Sequence, residues 1–579
     1  MIVGGLGACA TQPITKLVGG RQITTRSIDP DAYEHASRAF LLEEQERWQE
    51  AADELQRALA FDGDSPELRA RLAEVLLHLD RVDDAAAEVR RSLKIGISTS
   101  GLLAESHVCR AKADKACVVA ALQRATNEVD FMAEDDDAEN VYLELAEAQL
   151  EILDIGAAQA TLETLCQALP TSDNGHMRLM AIDWAKGEMK KAEAQLQSAL
   201  SVEPNQVEAL AALAWMNAAG GKNDKARQAF REALDRSEGS LDIAAAFARF
   251  LVGIDSGKEA EQVADDLAVP DSSLDAESLD GRIELERSAR RLDRALTLVA
   301  RGREMDLPDT KKTRLSFAQA SLLKEQDKGD AAVAVLMKVG KDWPLFLEAR
   351  LRVAELLRDS GKAAEAMRVI EDAAKQAAGS AKADGKAVEL DAGIALALAE
   401  ERLGKAAAAV ARLEGLQARY PGEGRTILAL AAAEDRRGNW QRALALAETV
   451  MAKSPGSVEA LNFWGFVAAD HDHDLDLASK RLQVANALAP GAGGLLDSLG
   501  WVHFHTHDLG KADLFLEQAA HLEPVDPEIQ WHLGQLYAER KEFERAAAAF
   551  GRSLGFHPDE RLRSKVEASL ARLPGGKRK

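Results

Sequence analysis

The stretch Trp531-His532-Leu533-Gly534-Gln535-Leu536-Tyr537, followed by Ala546, Phe550 and Pro558, decides how this 579-residue chain folds. Gly534 lies twelve residues before Ala546, and Phe550 comes four residues after it. That spacing suits two antiparallel helices. They approach closely only where small side chains meet, and a larger apolar residue one turn away fills the space beside the crossing. Pro558 then stops the second helix, because proline lacks the backbone N–H the helix needs. One such hairpin cannot bury both of its faces, so it must stack on others.

Moving back along the chain, Asp497-Ser498-Leu499-Gly500-Trp501 with Ala512, Leu516, Ala519 and Pro524 repeats the pattern 34 residues earlier. The same 34-residue step links Ala51 to Ala85, Ala158 through Ala192 and Ala226 to Ala260, Ala332 to Ala366, Ala409 to Ala443, and Ala478 to Ala512. Small residues such as Ala39, Ala73, Ala214, Ala248 and Ala431 precede these alanines by twelve. The pattern Trp-x-x-Leu-Gly-x-x-Tyr with Ala, Phe and Pro at fixed offsets resembles the tetratricopeptide repeat family over about residues 31–558. The resemblance implies an all-α solenoid, a right-handed superhelix of about fifteen helix-turn-helix units. It also implies a non-enzymatic scaffold for proteins or peptides.

The register slips in four places. Between Ala85 and Ala158 one unit is poorly marked, with Ala104 and Ala116 as its expected small residues and Glu134 to Asp137 in a loop. Around Ile283 and Ala295 the match loosens. From Ala366 to Ala409 the step is 43, and Gly379 to Gly385 reads as loop filler. At His471-Asp472-His473-Asp474 one residue is added to the inter-helix turn. Beyond the repeats, Asp559 to Leu573 sets Leu562, Val566, Leu570 and Leu573 on one face, as a capping helix requires. The expected organisation is a tether at 1–30, arrays at 31–270, 271–380 and 381–558, and a cap with a basic tail at 559–579.

With 72 Lys and Arg against 95 Asp and Glu, the net charge of −23 argues against a nucleic-acid partner, since no basic stripe offsets it. Cys9, Cys109, Cys117 and Cys166 show no metal-binding spacing. Cys109 and Cys117 are expected as two buried thiols rather than a bridge. Leu6-Gly7-Ala8-Cys9 resembles a bacterial lipobox, which implies lipid on Cys9, export and residence in the outer membrane facing the periplasm. Only eight residues precede Cys9, so this reading expects a start upstream of Met1. No stretch is apolar for long enough to span a membrane. Neither catalytic motifs nor a cofactor-binding signature occurs, so an enzyme is not expected.

In this family the first helix of each unit lines the concave face. Three before, one after and four after the small residue lie Asn462, Phe466 and Ala469, then Asp497, Trp501 and Phe504, then Trp531, Gln535 and Ala538. The resemblance implies a peptide-binding groove at Asn462, Phe466, Asp497, Trp501, Phe504, Trp531 and Gln535, with Trp184 and Trp215 in comparable positions farther up. Eight of the twelve histidines fall between residues 471 and 557. His471, His473, His505 and His507 occupy successive turns, where with Asp472, Asp474 and Asp508 they form a candidate metal site. The leading expectation is an envelope scaffold; the alternatives are a cytoplasmic assembly adaptor without an anchor and a metal-linked binding or regulatory protein.

Overall fold

A computed structural model of the protein describes residues 13–18, 21–26, 29–129, 137–268, 274–341, 343, 345–378, 385–556, 558 and 560–574. Two strands, β1 (Pro13–Val18) and β2 (Arg21–Arg26), pair antiparallel with Pro13 opposite Arg26. This hairpin lies within the segment 1–30 expected as a tether and precedes the all-α solenoid. Ile14, Thr15, Val18, Ile23, Thr24 and Thr25 are β-branched, and Gly19-Gly20 is a dipeptide suited to a two-residue hairpin turn. Cys9, the acidic residues 134–136, the filler residues 379–384 and the basic tail lie outside the described residues.

From residue 30 onward every described element is helical. The first eight helices are α1 (Pro30–Glu43), α2 (Trp48–Phe61), α3 (Pro66–His78), α4 (Val82–Ile95), α5 (Thr99–Ala111), α6 (Lys115–Glu128), α7 (Asp137–Glu151) and α8 (Ile155–Ala168). Next come α9 (Asp173–Ala185), α10 (Met189–Val202), α11 (Val207–Ala219), α12 (Asn223–Arg236), α13 (Leu241–Gly253), α14 (Gly257–Asp266), α15 (Leu279–Ser288) and α16 (Leu292–Glu304). They are followed by α17 (Asp309–Glu325), α18 (Gly329–Leu336), α19 (Phe346–Asp359), α20 (Ala363–Ala378), α21 (Gly385–Arg402), α22 (Ala406–Arg419), α23 (Gly424–Arg436) and α24 (Trp440–Lys453). The last are α25 (Val458–Asp470), α26 (Leu475–Leu488), α27 (Gly493–His505), α28 (Leu509–Leu522), α29 (Pro527–Glu539), α30 (Phe543–Gly555) and α31 (Glu560–Arg572). Helices α1 to α30 run as successive helix-turn-helix units, an α-solenoid, with α31 left over at the end. The chain divides into two compact units between Gly175 and His176.

Each turn between the two helices of a unit places a residue in the left-handed region at φ between 51° and 85°, from Glu46 in the first to Lys541 in the last, and the turn at 471–474 adds a second, Asp474 at φ 39°. The following N–H reaches back five residues, as Arg47 does to Leu42 and Glu542 to Tyr537. This Schellman closure satisfies the carbonyls that the first helix leaves open, and it sets the same exit angle in each unit. The added residue at 471–474 fits because Asp472 and Asp474 are both left-handed.

The glycine positions explain the helix crossing. A Cβ on Gly500 would lie 2.6 Å from Leu516 Cγ, and one on Gly465 would lie 2.5 Å from Leu482 Cγ. One on Gly534 would collide with the ring of Phe550. One expected residue moves. In the ill-marked unit Ala104 is fully buried, as is Ser106, but Ala116 is exposed and Val118 faces inward in its place. The turn at Ala113 fixes that register, and no alanine marks it. Cys109 and Cys117 lie with Cα atoms 5.7 Å apart and form a disulfide, which corrects the two-thiol expectation. Each sits beside the α5–α6 turn, so the closed turn brings the sulfurs together. The long step after Ala366 is taken up partly as helix, since α20 runs to Ala378 and α21 starts at Gly385.

Candidate functional site

Helices α25, α27 and α29 lie side by side within the second unit and bring the expected groove residues together. The arrangement is narrower than an open strip. Phe466 on α25 comes within 6.1 Å, centroid to centroid, of His532 on α29, so side chains of these two helices meet across α27. Trp501 on α27 is therefore only 3% exposed and Trp531 only 5%. The Trp501 ring lies 4.1 Å from His532, 5.0 Å from Phe504 and 5.4 Å from Trp531. The two indoles form a packed floor, whereas Asn462, Phe466, Phe504 and Gln535 are half-buried and reach the surface.

Beneath the floor is a fully buried ion pair. His532 Nδ1 bonds both oxygens of Asp497, at 2.8 and 2.9 Å. Burial pulls the imidazole pKa down, but the charge and hydrogen bond of Asp497, together with the charges of Glu528 and Asp470, outweigh it and the net shift is upward. His503, stacked 5.6 Å from Phe515, behaves oppositely: burial, with Lys511 adding to it, takes it down to about 4. The Asn462 Oδ1, Trp464 Nε1, Trp501 Nε1 and His532 Nε2 atoms are buried without a hydrogen-bond partner, all on the first helices of these units.

Beside this floor a cleft of about 460 Å³ opens between α23 and α25 on one side and the start of α29 and α31 on the other. Phe463, Phe466 and Leu562 give it an apolar lining, and Asp435 and Asp470 face Arg561 and Lys565 across it. Phe463 and the four charged residues were not among the groove residues expected from sequence. The signal for Arg561 and Lys565 was their i, i+4 stripe on the capping helix.

The second unit also touches itself over a long sequence distance. Trp184 Nε1 on α9 donates to Gln518 Oε1 on α28 at 2.9 Å, although 334 residues separate them. Gln518 Nε2 meets Met189 Sδ at 3.4 Å. Helix α28 packs along α11, Gly187 lies against Leu514 and Phe515, and Gly253 lies against Pro524. Trp184 and Gln518 are 3% and 1% exposed. Trp184 is thus covered by α28 and offers no open groove surface. Trp215 is half-buried, with its edge toward Phe230 at 5.2 Å.

Among the described residues no three His, Cys, Asp or Glu side chains gather as a metal-holding group, so the four histidines do not form the metal centre considered above. Their partners explain why. His471 bonds Asp435 at 3.3 Å and stacks on Trp440, while His473 leans on Trp440 and Trp464. His505 bonds Asp472 at 2.7 Å, and His507 supplies the left-handed turn residue.

A helical-hairpin solenoid with this crossing is a protein-interaction class, and the sequence comparisons give the repeat its name. Tetratricopeptide repeat models match residues 42–95, 182–240 and 499–560, so the chain carries tetratricopeptide repeats. Such repeats generally mediate protein–protein interaction, and their scaffold is typically non-enzymatic. No curated protein sequence matches the chain. Among solved structures, the chain is similar to the APC/C hetero-tetramer Cut9-Hcn1, at 16% identity over 89% of this chain and 94% of that one, TM-score 0.35. It is also similar to a tetratricopeptide repeat protein from Parabacteroides merdae, at 13% identity over 44% and 98%, TM-score 0.34. A thermophilic TPR protein of Thermus thermophilus shares 24% identity over 32% and 98%, TM-score 0.28. No described helix is long and apolar enough to cross a membrane.

Proposed function

We propose that the chain is a non-enzymatic scaffold that holds protein or peptide partners on the inner surface of its C-terminal repeats, at the bacterial cell envelope. The half-buried set Asn462, Phe466, Phe504 and Gln535, of which Phe466 also lines the 460 Å³ cleft, supports the first part of this reading. Aromatic edges beside hydrogen-bonding groups give contact area at low entropic cost. Photo-crosslinking in cells tests it. With Phe466→p-benzoylphenylalanine the chain is expected to form discrete protein adducts, and with Glu544→p-benzoylphenylalanine, on the exposed side of α30, it is not. Adducts at 544 and none at 466 would place the partner elsewhere.

The envelope location rests on Leu6-Gly7-Ala8-Cys9, with lipid on Cys9 as the attachment. Radioactive palmitate is expected to label the wild-type chain and to leave Cys9→Ser unlabelled. A wild-type chain that takes up no label would favour the cytoplasmic adaptor.

A further inference from the structure

The capping helix α31 does more than cover the last hairpin. Val566 is fully buried, as a cap requires, but Arg561, Lys565 and Ser569 form a separate stripe at i, i+4 and i+8. That stripe faces α23, α25 and α29. Arg561 Nη1 stands 4.0 Å from Asp435 on α23, and Lys565 Nζ stands 3.7 Å from Asp470 on α25. Lys565 also sits 4.7 Å above the Trp531 ring, and Trp531 Nε1 donates to Ser569 Oγ at 3.4 Å. Both ion pairs are long, and Arg561 keeps 52% of its side chain exposed, while Lys565, Asp435 and Asp470 are half-buried. A pair with one exposed end, like Arg561–Asp435, contributes roughly 0–1 kcal/mol and is readily exchanged. The cleft they bridge is lined by Asp435, Asp470, Asp526 and Glu528 against Arg436, Arg561 and Lys565. Arg436 is already held by Glu401 at 2.6 Å, Asp435 is shared with His471 at 3.3 Å and Asp526 caps α29, so the two cations of α31 face an acidic wall that is already partly engaged.

We propose that this cleft docks a basic amphipathic helix of a partner protein, carrying two cations one turn apart beside an apolar edge, and that α31 supplies the same chemistry until displaced. The proposal rests on the inner surface being the binding surface and names the partner's chemistry. Charge complementarity commits it to a cationic occupant: the partner's cations take Asp435 and Asp470, and its apolar edge meets Phe463 and Phe466.

A fluorescent peptide with the sequence of α31 is the probe, titrated against the full chain by anisotropy at low salt. The chain with Arg561→Gln and Lys565→Gln is expected to bind it at least ten-fold tighter than wild type, because the resident cations are gone and the acidic walls remain. Adding Asp435→Asn and Asp470→Asn is expected to remove that gain. Should those last changes unfold the repeats, as circular dichroism would show, a probe bearing Arg561→Glu and Lys565→Glu replaces them and must lose binding to the opened chain. Equal binding by wild-type and opened chains, or tight binding of the reversed probe, would overturn the proposal. If the probe fails while crosslinks at 466 form, the inner surface still binds partners of other chemistry; if both fail, the scaffold reading falls with it.

Discussion

Replacing Asp497 by alanine is expected to destabilise the C-terminal repeats by about 3–5 kcal/mol, the usual cost of removing one member of a buried ion pair. His532 is fully buried and has Asp497 as its carboxylate partner. Without that partner it must lose its proton or leave the interior. Because stability in a stacked array is a sum over neighbouring interfaces, the loss falls on α27 and α29 first. Hydrogen exchange followed by mass spectrometry would read it as earlier deuteration of these two helices, with α1 to α4 unchanged. Removing both partners, as in Asp497→Leu with His532→Leu, should recover much of the loss, since no charge is then left unpaired.

The pair also fixes a pH window. The folded pKa of His532 is raised above the ordinary 6.5, so its contribution is complete below 6.5 and is lost as pH climbs through the raised value. His503 works from the other side: with its pKa lowered to about 4, its contribution is complete above 6.5 and is lost as pH falls toward 4. In urea unfolding of the C-terminal repeats, Asp497→Ala is expected to flatten the alkaline limb and leave the acid limb in place.

The second large effect is at Trp184. Trp184→Ala removes a 3%-exposed indole, a change that typically costs about 3–5 kcal/mol. It also strips Gln518 Oε1 of its donor in a place that is 1% exposed, which adds about 1–3 kcal/mol. Part of the cost falls within α9, and part on the contact that joins α9 and α11 to α28.

Much of the fold was legible in the sequence because the crossing geometry is local. Gly534 with Phe550, and Gly500 with Leu516, meet within one hairpin, so a fixed spacing records them. Val118 escaped because a larger residue took the small residue's place, and the turn at Ala113 carries no glycine to mark it. The site was less legible. The positions of Trp501 and Trp531 follow from the repeat, but their burial follows from how closely side chains of α25 and α29 meet across α27, which depends on curvature summed over several units. The Trp184–Gln518 bond has no local signature, since 334 residues separate its partners and each looks like an ordinary surface position of its own helix.

That closure decides which inner surface remains for partners, and it rests on residues far apart in sequence. Gly253 and Pro524 test it without touching Trp184, since a Cβ on Gly253 would lie 3.8 Å from Pro524 Cγ. In a chain carrying Gly253→Cys and Pro524→Cys, with Cys9→Ser and Cys166→Ser, a short bismaleimide is expected to link positions 253 and 524 within one molecule. Mass spectrometry would find the linked peptides, and adding Trp184→Ala should sharply reduce them. A link that never forms, or that forms only between two chains, would contradict a second unit closed on itself and would return Trp184 to the open groove.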